Sequence, residues 1–207
     1  MVDVLGEAIN ESDFKFEIGE SILQEMISGY FIENIFEELI QNDYDAESPS
    51  TLIRFMNDKL VVEGFGDPID EKGWKRLGKI LGTGKDTPPK ESKLGIKNMG
   101  LRALFLIGDY IRIKSAGRRA ILSLNLGTTN PINDPTFTRE NGVYIEVPYR
   151  TEPYKVFSVF DAEKERQLCN RISETFPFLL IKLPLDSKKK ILQSVRIVFD
   201  RLGVTLV

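Results

Sequence analysis

Apolar residues recur at Ile32, Ile35, Phe36, Leu39 and Ile40, in steps of three and four. The stretch YFIENIFEELIQNDYDA therefore predicts a helix with one buried stripe, stopped by the SPS triplet around Pro49. Upstream, GESILQEMISG places Ile22, Leu23, Met26 and Ile27 at helical spacing, after a weakly alternating DFKFEI at 13–18 that predicts a strand. LIRF and LVVE read as two strands joined near Asn57 and Asp58, which predicts a hairpin. DEKGWKRLGKILG reads as a helix despite its glycines, and IKNMGLRALFLIG as a loop entering a helix.

The second half is richer in strands. DYIRIKS and AILSLNL alternate and are separated at AGRR; GVYIEVPY is a further strand. EKERQLCNRISETFPFL predicts a helix that Pro177 ends, because proline lacks the amide hydrogen a helix interior needs. LIKLPL and SVRIVF read as short strands. The polar, breaker-rich stretches 82–94 and 128–142 predict loops. Hairpins interspersed with helices predict an α+β two-layer sandwich, a mixed β-sheet covered on one face by helices. A regular βαβα dinucleotide-binding rhythm is absent.

Composition narrows the chemistry. A chain of 207 residues with 42% hydrophobic and 29% charged residues predicts a single folded domain over 1–207. The formal charge of -3 indicates no global attraction for nucleic acid. No apolar run reaches membrane-spanning length and no signal peptide is evident, so the expected compartment is cytoplasmic. Cys169, the single cysteine, is expected to be buried rather than reactive. There is no histidine, which excludes a Ser-His-Asp triad and histidine metal ligation. Carboxylates, amides, lysines and backbone groups remain, an inventory suited to a hard cation such as Mg2+.

Beside the apolar stripe, Glu38, Asn42 and Asp45 share a polar ridge. Such a ridge can orient water and hold a hard cation, or it can be a solvated helix face. Gly64 and Gly66 follow a strand, where they can bare the backbone to a flat ligand or form a simple turn. Gly95 and Gly100 precede a helix, where amide groups can receive phosphate, with Lys93 and Lys97 adding charge; loop geometry is the plainer reading.

Taken in order, these stretches resemble the ATP-binding domain shared by gyrase-type topoisomerases, Hsp90-type chaperones, sensor histidine kinases and MutL-type repair proteins (the GHKL, or Bergerat, fold). ELIQNDYDA matches the family's Glu-x-x-x-Asn-x-x-Asp-Ala helix at every specified position. The resemblance implies Glu38 as the catalytic base that activates water, Asn42 as the Mg2+ ligand, and Asp45 and Ala46 as supports near the nucleotide. VEGFG at 62–66 keeps the glycines of the family's Asp-x-Gly-x-Gly motif but has Val62 where a carboxylate usually receives the adenine amino group. Glu63 and Asp67 are the neighbouring carboxylates. Losing that bond costs roughly 1–3 kcal/mol.

GIKNMG at 95–100 keeps the outer glycines of Gly-x-x-Gly-x-Gly and places Asn98 at the middle one, with Met99 beside it. Asparagine tolerates positive φ better than most residues. The stretch 82–94 stands where the family has its ATP lid, with Lys85, Lys93 and Lys97 as phosphate candidates. The late Gly-Thr motif has two partial matches, GVYIEV at 142–147 and GTT at 127–129.

The resemblance covers about 14–148, with 149–207 as a helix-and-strand extension, and the chain reads as the N-terminal part of a longer protein. It implies an ATPase: Mg2+-dependent ATP binding and slow hydrolysis coupled to conformational change. A homodimer or further domains of the same chain would be its partners. Two other readings stay open: a nucleotide-binding switch without hydrolysis, and a protein-interaction domain without a nucleotide site.

Overall fold

Successive side chains point to opposite sides of a strand, and here the two sides of one sheet differ chemically, one apolar under helices and one holding buried ion pairs. The computed structural model describes residues 34–77, 101, 103–181 and 192–207. The readings at 13–18, 19–29 and 82–94 lie outside the described residues. Among these residues run helix α1 (Asn34–Asp45), strands β1 (Ser50–Phe55) and β2 (Lys59–Gly64), and helix α2 (Glu71–Leu77). Next come β3 (Tyr110–Ser115), β4 (Arg118–Ser123), the short β5 (Gly127–Thr128) and β6 (Ile132–Asn133), and β7 (Val143–Pro148). Helix α3 (Ala162–Ile181), β8 (Ser194–Phe199) and β9 (Val204–Leu206) complete the described elements.

The nine strands form one mixed sheet in the order β5-β4-β3-β7-β2-β1-β8-β9, with β6 paired to β4. The β1–β8 pair is parallel and the other pairs are antiparallel. The fold is thus α+β. Ile53, Phe55, Leu60, Val62, Ile113 and Ile145 lie in one apolar cluster with Ile35, Phe36, Leu39 and Ile40 of α1 and Leu168 and Ile172 of α3. Phe55 stacks on Phe199 across the parallel pair, with ring centroids 4.6 Å apart.

The opposite face is polar. Arg112 faces Glu146 across β3 and β7, with Nη1 3.3 Å from Oε1. The Tyr144 hydroxyl donates to Glu146 Oε2 at 3.0 Å, and Lys114 Nζ lies 2.9 Å from Asp134. The Phe137 ring packs on Tyr144, so the segment after β6 lies over this face.

The expected hairpin forms at Asn57 and Asp58, and Ile53 pairs with Val62 in its register. The turn expected at AGRR is narrower: Ala116 (φ 46°) and Gly117 (φ 68°) make it, while Arg118 and Arg119 belong to β4. Two successive positive φ values suit the right-handed twist of the flanking strands. The loop expected over 128–142 includes Thr128 of β5 and all of β6. Pro177 does not end α3, which runs on to Ile181. An interior proline removes one helix hydrogen bond at a cost of about 3 kcal/mol but need not terminate the element. Leu180 and Ile181 of the expected LIKLPL strand are therefore helical, and 182–185 lie outside the described residues. Cys169 is buried on α3, as expected.

Candidate functional site

The C-terminal end of α1 is bound tightly to the loop that follows β2. The helix closes through amide-to-carbonyl bonds from Ala46 to Asn42 (3.0 Å) and from Ser48 to Asp43 (2.9 Å), with Glu47 at φ 55°. The Asp67 amide then donates to the Ala46 carbonyl at 2.7 Å. The Phe65 amide donates to Ser48 Oγ at 2.8 Å, and that hydroxyl donates to the Ser50 carbonyl at 2.6 Å. A Cβ at Gly66 would lie 2.1 Å from the Ala46 carbonyl oxygen. Glycine is therefore required at 66 by close approach to the helix end.

A cavity of about 490 Å³ lies between this junction and the sheet. Leu39, Asn42, Asp43, Asp45 and Ala46 of the α1 end form one wall. Val62, Gly64, Ile113, Val143 and Ile145 contribute the sheet side, and Asp67 to Asp70 with Gly73, Arg76 and Leu77 the α2 side. Leu101 completes the described lining. Helix α2 is held there by the buried Trp74, on whose ring the Arg118 guanidinium stacks at 5.4 Å, while Arg118 also pairs with Glu71. The size suits a small organic ligand, and a mostly apolar wall with a few polar groups is the usual composition of such sites.

Of the residues singled out in the sequence, Asn42, Asp45, Ala46, Gly64 and Asp67 come together around this cavity. Glu38 is half-buried one turn earlier on α1 and is not part of the lining. Burial raises its carboxyl above the ordinary range, and neighbouring Glu37 adds to the rise. Glu63 is on the other face of the sheet, paired with Arg139 at 3.0 Å, and does not reach the cavity. The alternation of a strand dictates that outcome, because residues 62 and 64 share one face and 63 the other. Lys93, Gly95, Lys97, Asn98, Met99 and Gly100 lie outside the described residues.

Gly142 before β7 has φ 80°, and a Cβ there would lie 2.1 Å from the Gly64 carbonyl oxygen. The Gly142 carbonyl accepts from Ser115 Oγ at 2.7 Å, and the same hydroxyl accepts from the Ile69 amide at 3.0 Å. Of the two partial Gly-Thr matches, 142 is thus the one joined to the cavity wall.

The residue the motif reading passed over is Asp43. It is 8% exposed, lines the cavity, and its Oδ2 has no hydrogen-bond partner among the described residues. Burial pushes its carboxyl up to about 6, against the opposing pull of nearby Thr51 and Arg139. A signal was present in the sequence: Asp43 continues the buried stripe, four residues after Leu39 and three after Ile40. A carboxylate on an apolar stripe is the kind of buried polar group that demands a reason.

The donor set suits Mg2+ only with help from a ligand. Among the described residues no three acidic, histidine or cysteine side chains are grouped to hold a metal. Asn42 and Asp45 bring hard oxygens to the wall, and Mg2+ characteristically takes few protein ligands and completes its shell with phosphates and water.

No protein-family model matches the sequence, and no curated protein matches it. The chain is similar to a solved structure described as the crystal structure of the N-terminal domain of a DNA repair protein. Identity is 18% and the TM-score 0.44, over 83% of this chain and 50% of the other, so the chain spans half that structure's length. No helix among the described residues is long and apolar enough to cross a membrane.

Proposed function

We propose that the cavity binds a purine nucleotide, and that the chain is a Bergerat-type domain that hydrolyses ATP slowly with Mg2+. The observation that carries this reading is the convergence of Asn42, Asp45 and Ala46 of the α1 end with Gly64, Val62, Ile113 and Ile145 of the sheet around one cavity. That arrangement offers a slot for a flat ring beside a polar helix end. Asn42 would hold the cation through its amide oxygen. Bound Mg2+ would supply charge neutralisation of the phosphates. Glu38, whose carboxyl burial raises above its ordinary range, is suited to accept a proton from an attacking water.

One observation favours a second reading, a nucleotide-binding switch without hydrolysis: Glu38 stands one turn away from the cavity lining. Calorimetric titration with ATP, ADP and GTP, each with and without Mg2+, tests both. Mg2+-strengthened binding of ATP followed by phosphate release supports the ATPase; binding without release supports the switch. A chain that binds none of the three is not a nucleotide domain.

A further inference from the structure

The cavity presents one chemical contradiction. Its sheet side is hydrocarbon at Val62, Ile113, Val143 and Ile145, yet a carboxylate is buried against it. The Asp43 side chain lies over β2 at residue 64, where a Cβ would come within 2.1 Å of Oδ1 and 2.9 Å of Oδ2. Residue 64 is on the same strand face as Val62 and roughly 7 Å along from it. The carboxylate therefore sits at the cavity floor beside Val62, whose methyl groups can accept nothing. Among the described residues Oδ2 receives no hydrogen bond, the Thr51 hydroxyl being the nearest pull on the carboxyl, and a buried carboxylate oxygen without a partner is costly until one arrives.

Resting on the nucleotide reading above, we propose that Asp43 is the residue that reads the base, accepting a hydrogen bond from the amino group of an aminopurine seated against Val62 and Gly64. The chemistry of the slot selects that class. A flat, weakly polar ring satisfies the hydrocarbon walls, and an edge N–H satisfies the carboxylate. The acceptor is carried by the helix rather than by the strand, on the residue that directly follows Asn42. One turn of α1 thus holds both the cation-binding amide and the base-reading carboxylate.

The test is a titration cycle on the whole chain at pH 7.5, using ATP, purine riboside triphosphate (which lacks the 6-amino group), GTP and inosine triphosphate (which lacks the 2-amino group). The variants are Asp43→Ala and Asp43→Ser, which remove the acceptor or withdraw it from reach, each checked for cooperative thermal unfolding. Wild type should bind ATP about 10-fold more tightly than the analogue without the amino group. Both variants should lose about that factor for ATP and almost none for the analogue. If GTP is the preferred ligand and the same Asp43-dependent loss separates it from inosine triphosphate, the amino group is guanine's and the assignment of Asp43 stands. If wild type binds ATP but the folded variants bind it equally well, the base is read elsewhere and Asp43 is released from the role, while the nucleotide reading survives. If wild type binds none of the four, the nucleotide reading fails first and this one with it.

Discussion

The Asp43 carboxylate fills the space in which a side chain at residue 64 would begin: a Cβ on Gly64 would lie 2.1 Å from Oδ1 and 2.7 Å from Cγ. Helix α1 and strand β2 therefore approach on the condition that one of the two positions has no side chain. Gly64→Ala should destabilise the chain by about 1–3 kcal/mol through overpacking. Combining it with Asp43→Ala should recover most of that loss, giving a coupling of about 1 kcal/mol or more. Urea denaturation of the two single variants and the double variant measures it, and strict additivity would show that the clash is relieved elsewhere.

Asp43 also makes stability depend on pH. Its carboxyl is raised from 3.8 to about 6 in the folded chain. Between those values the folded state keeps a proton that the unfolded state has released, so stability falls as pH rises from about 4 to about 6 and this contribution is constant above that. The full difference is worth roughly 3 kcal/mol. Asp43→Asn should match wild type near pH 4 and exceed it by about 1–3 kcal/mol at pH 7. Paired urea titrations across that range decide the matter; a stability difference that ignores pH would mean the carboxylate is not perturbed.

Much of the fold was legible because its signals are local. The stripe Ile35, Phe36, Leu39 and Ile40 is buried together, and Asn57 and Asp58 do form a hairpin. Glu63, a candidate carboxylate by its place in the motif, is turned by strand parity from the face carrying Val62 and Gly64. Pro177 misled because a single missing amide bond competes with the burial and hydrogen bonding of a 20-residue helix. The parallel pairing of β1 with β8 joins residues more than 140 positions apart, which no local pattern reveals. Asp43 was hidden by its neighbours: the ridge Glu38, Asn42 and Asp45 drew the reading to the polar face, while the informative carboxylate lay on the apolar one.

The junction between the α1 end and the β2 loop should be less forgiving than the Asp43–Gly64 contact. At Gly66 a Cβ would meet backbone on both sides, the Ala46 carbonyl oxygen at 2.1 Å and the Ser48 nitrogen at 2.7 Å. No rotamer change relieves a backbone clash, so Gly66→Ala should cost about 3 kcal/mol or more, and truncating Asp43 should not rescue it. Ser48→Ala, which removes the acceptor of the Phe65 amide, should cost about 1–3 kcal/mol. Chemical denaturation of each variant is the check; a neutral Gly66→Ala would show that the loop can lift from the helix end at little cost.

Arg150 should be a stability determinant remote from the cavity. Its side chain is 1% exposed and pairs with Asp109 at 2.7 Å. The guanidinium also donates to the carbonyls of Phe105 and Ser158 and stacks on the Phe157 ring at 4.9 Å. Arg150→Ala leaves the buried Phe105 carbonyl and the partly buried Ser158 carbonyl and Asp109 carboxylate without this partner and should cost about 3 kcal/mol. Arg150→Lys should recover little, since one ammonium cannot reproduce a planar fork that spans three acceptors and a ring. Thermal unfolding of both variants tests this, and a lysine variant of wild-type stability would refute the geometric requirement.

Glu38 and Asn42 stand one turn apart on α1, but only Asn42 reaches the cavity lining, so their substitutions should separate chemistry from binding. Glu38→Ala should reduce ATP turnover by about 100-fold or more, the scale on which a general base contributes, while the dissociation constant for ATP changes little. If the amide oxygen serves the cation, as proposed, Asn42→Ala should weaken ATP in the presence of Mg2+ more than in its absence. Both are read by single-turnover phosphate release alongside calorimetry with and without Mg2+. Unchanged turnover in Glu38→Ala would remove Glu38 from the base role and assign activation of the water to another group, whereas binding without phosphate release in the parent chain would leave the switch reading in possession of the site. Loss of affinity in Asn42→Ala that is equal with and without Mg2+ would place Asn42 against the nucleotide itself.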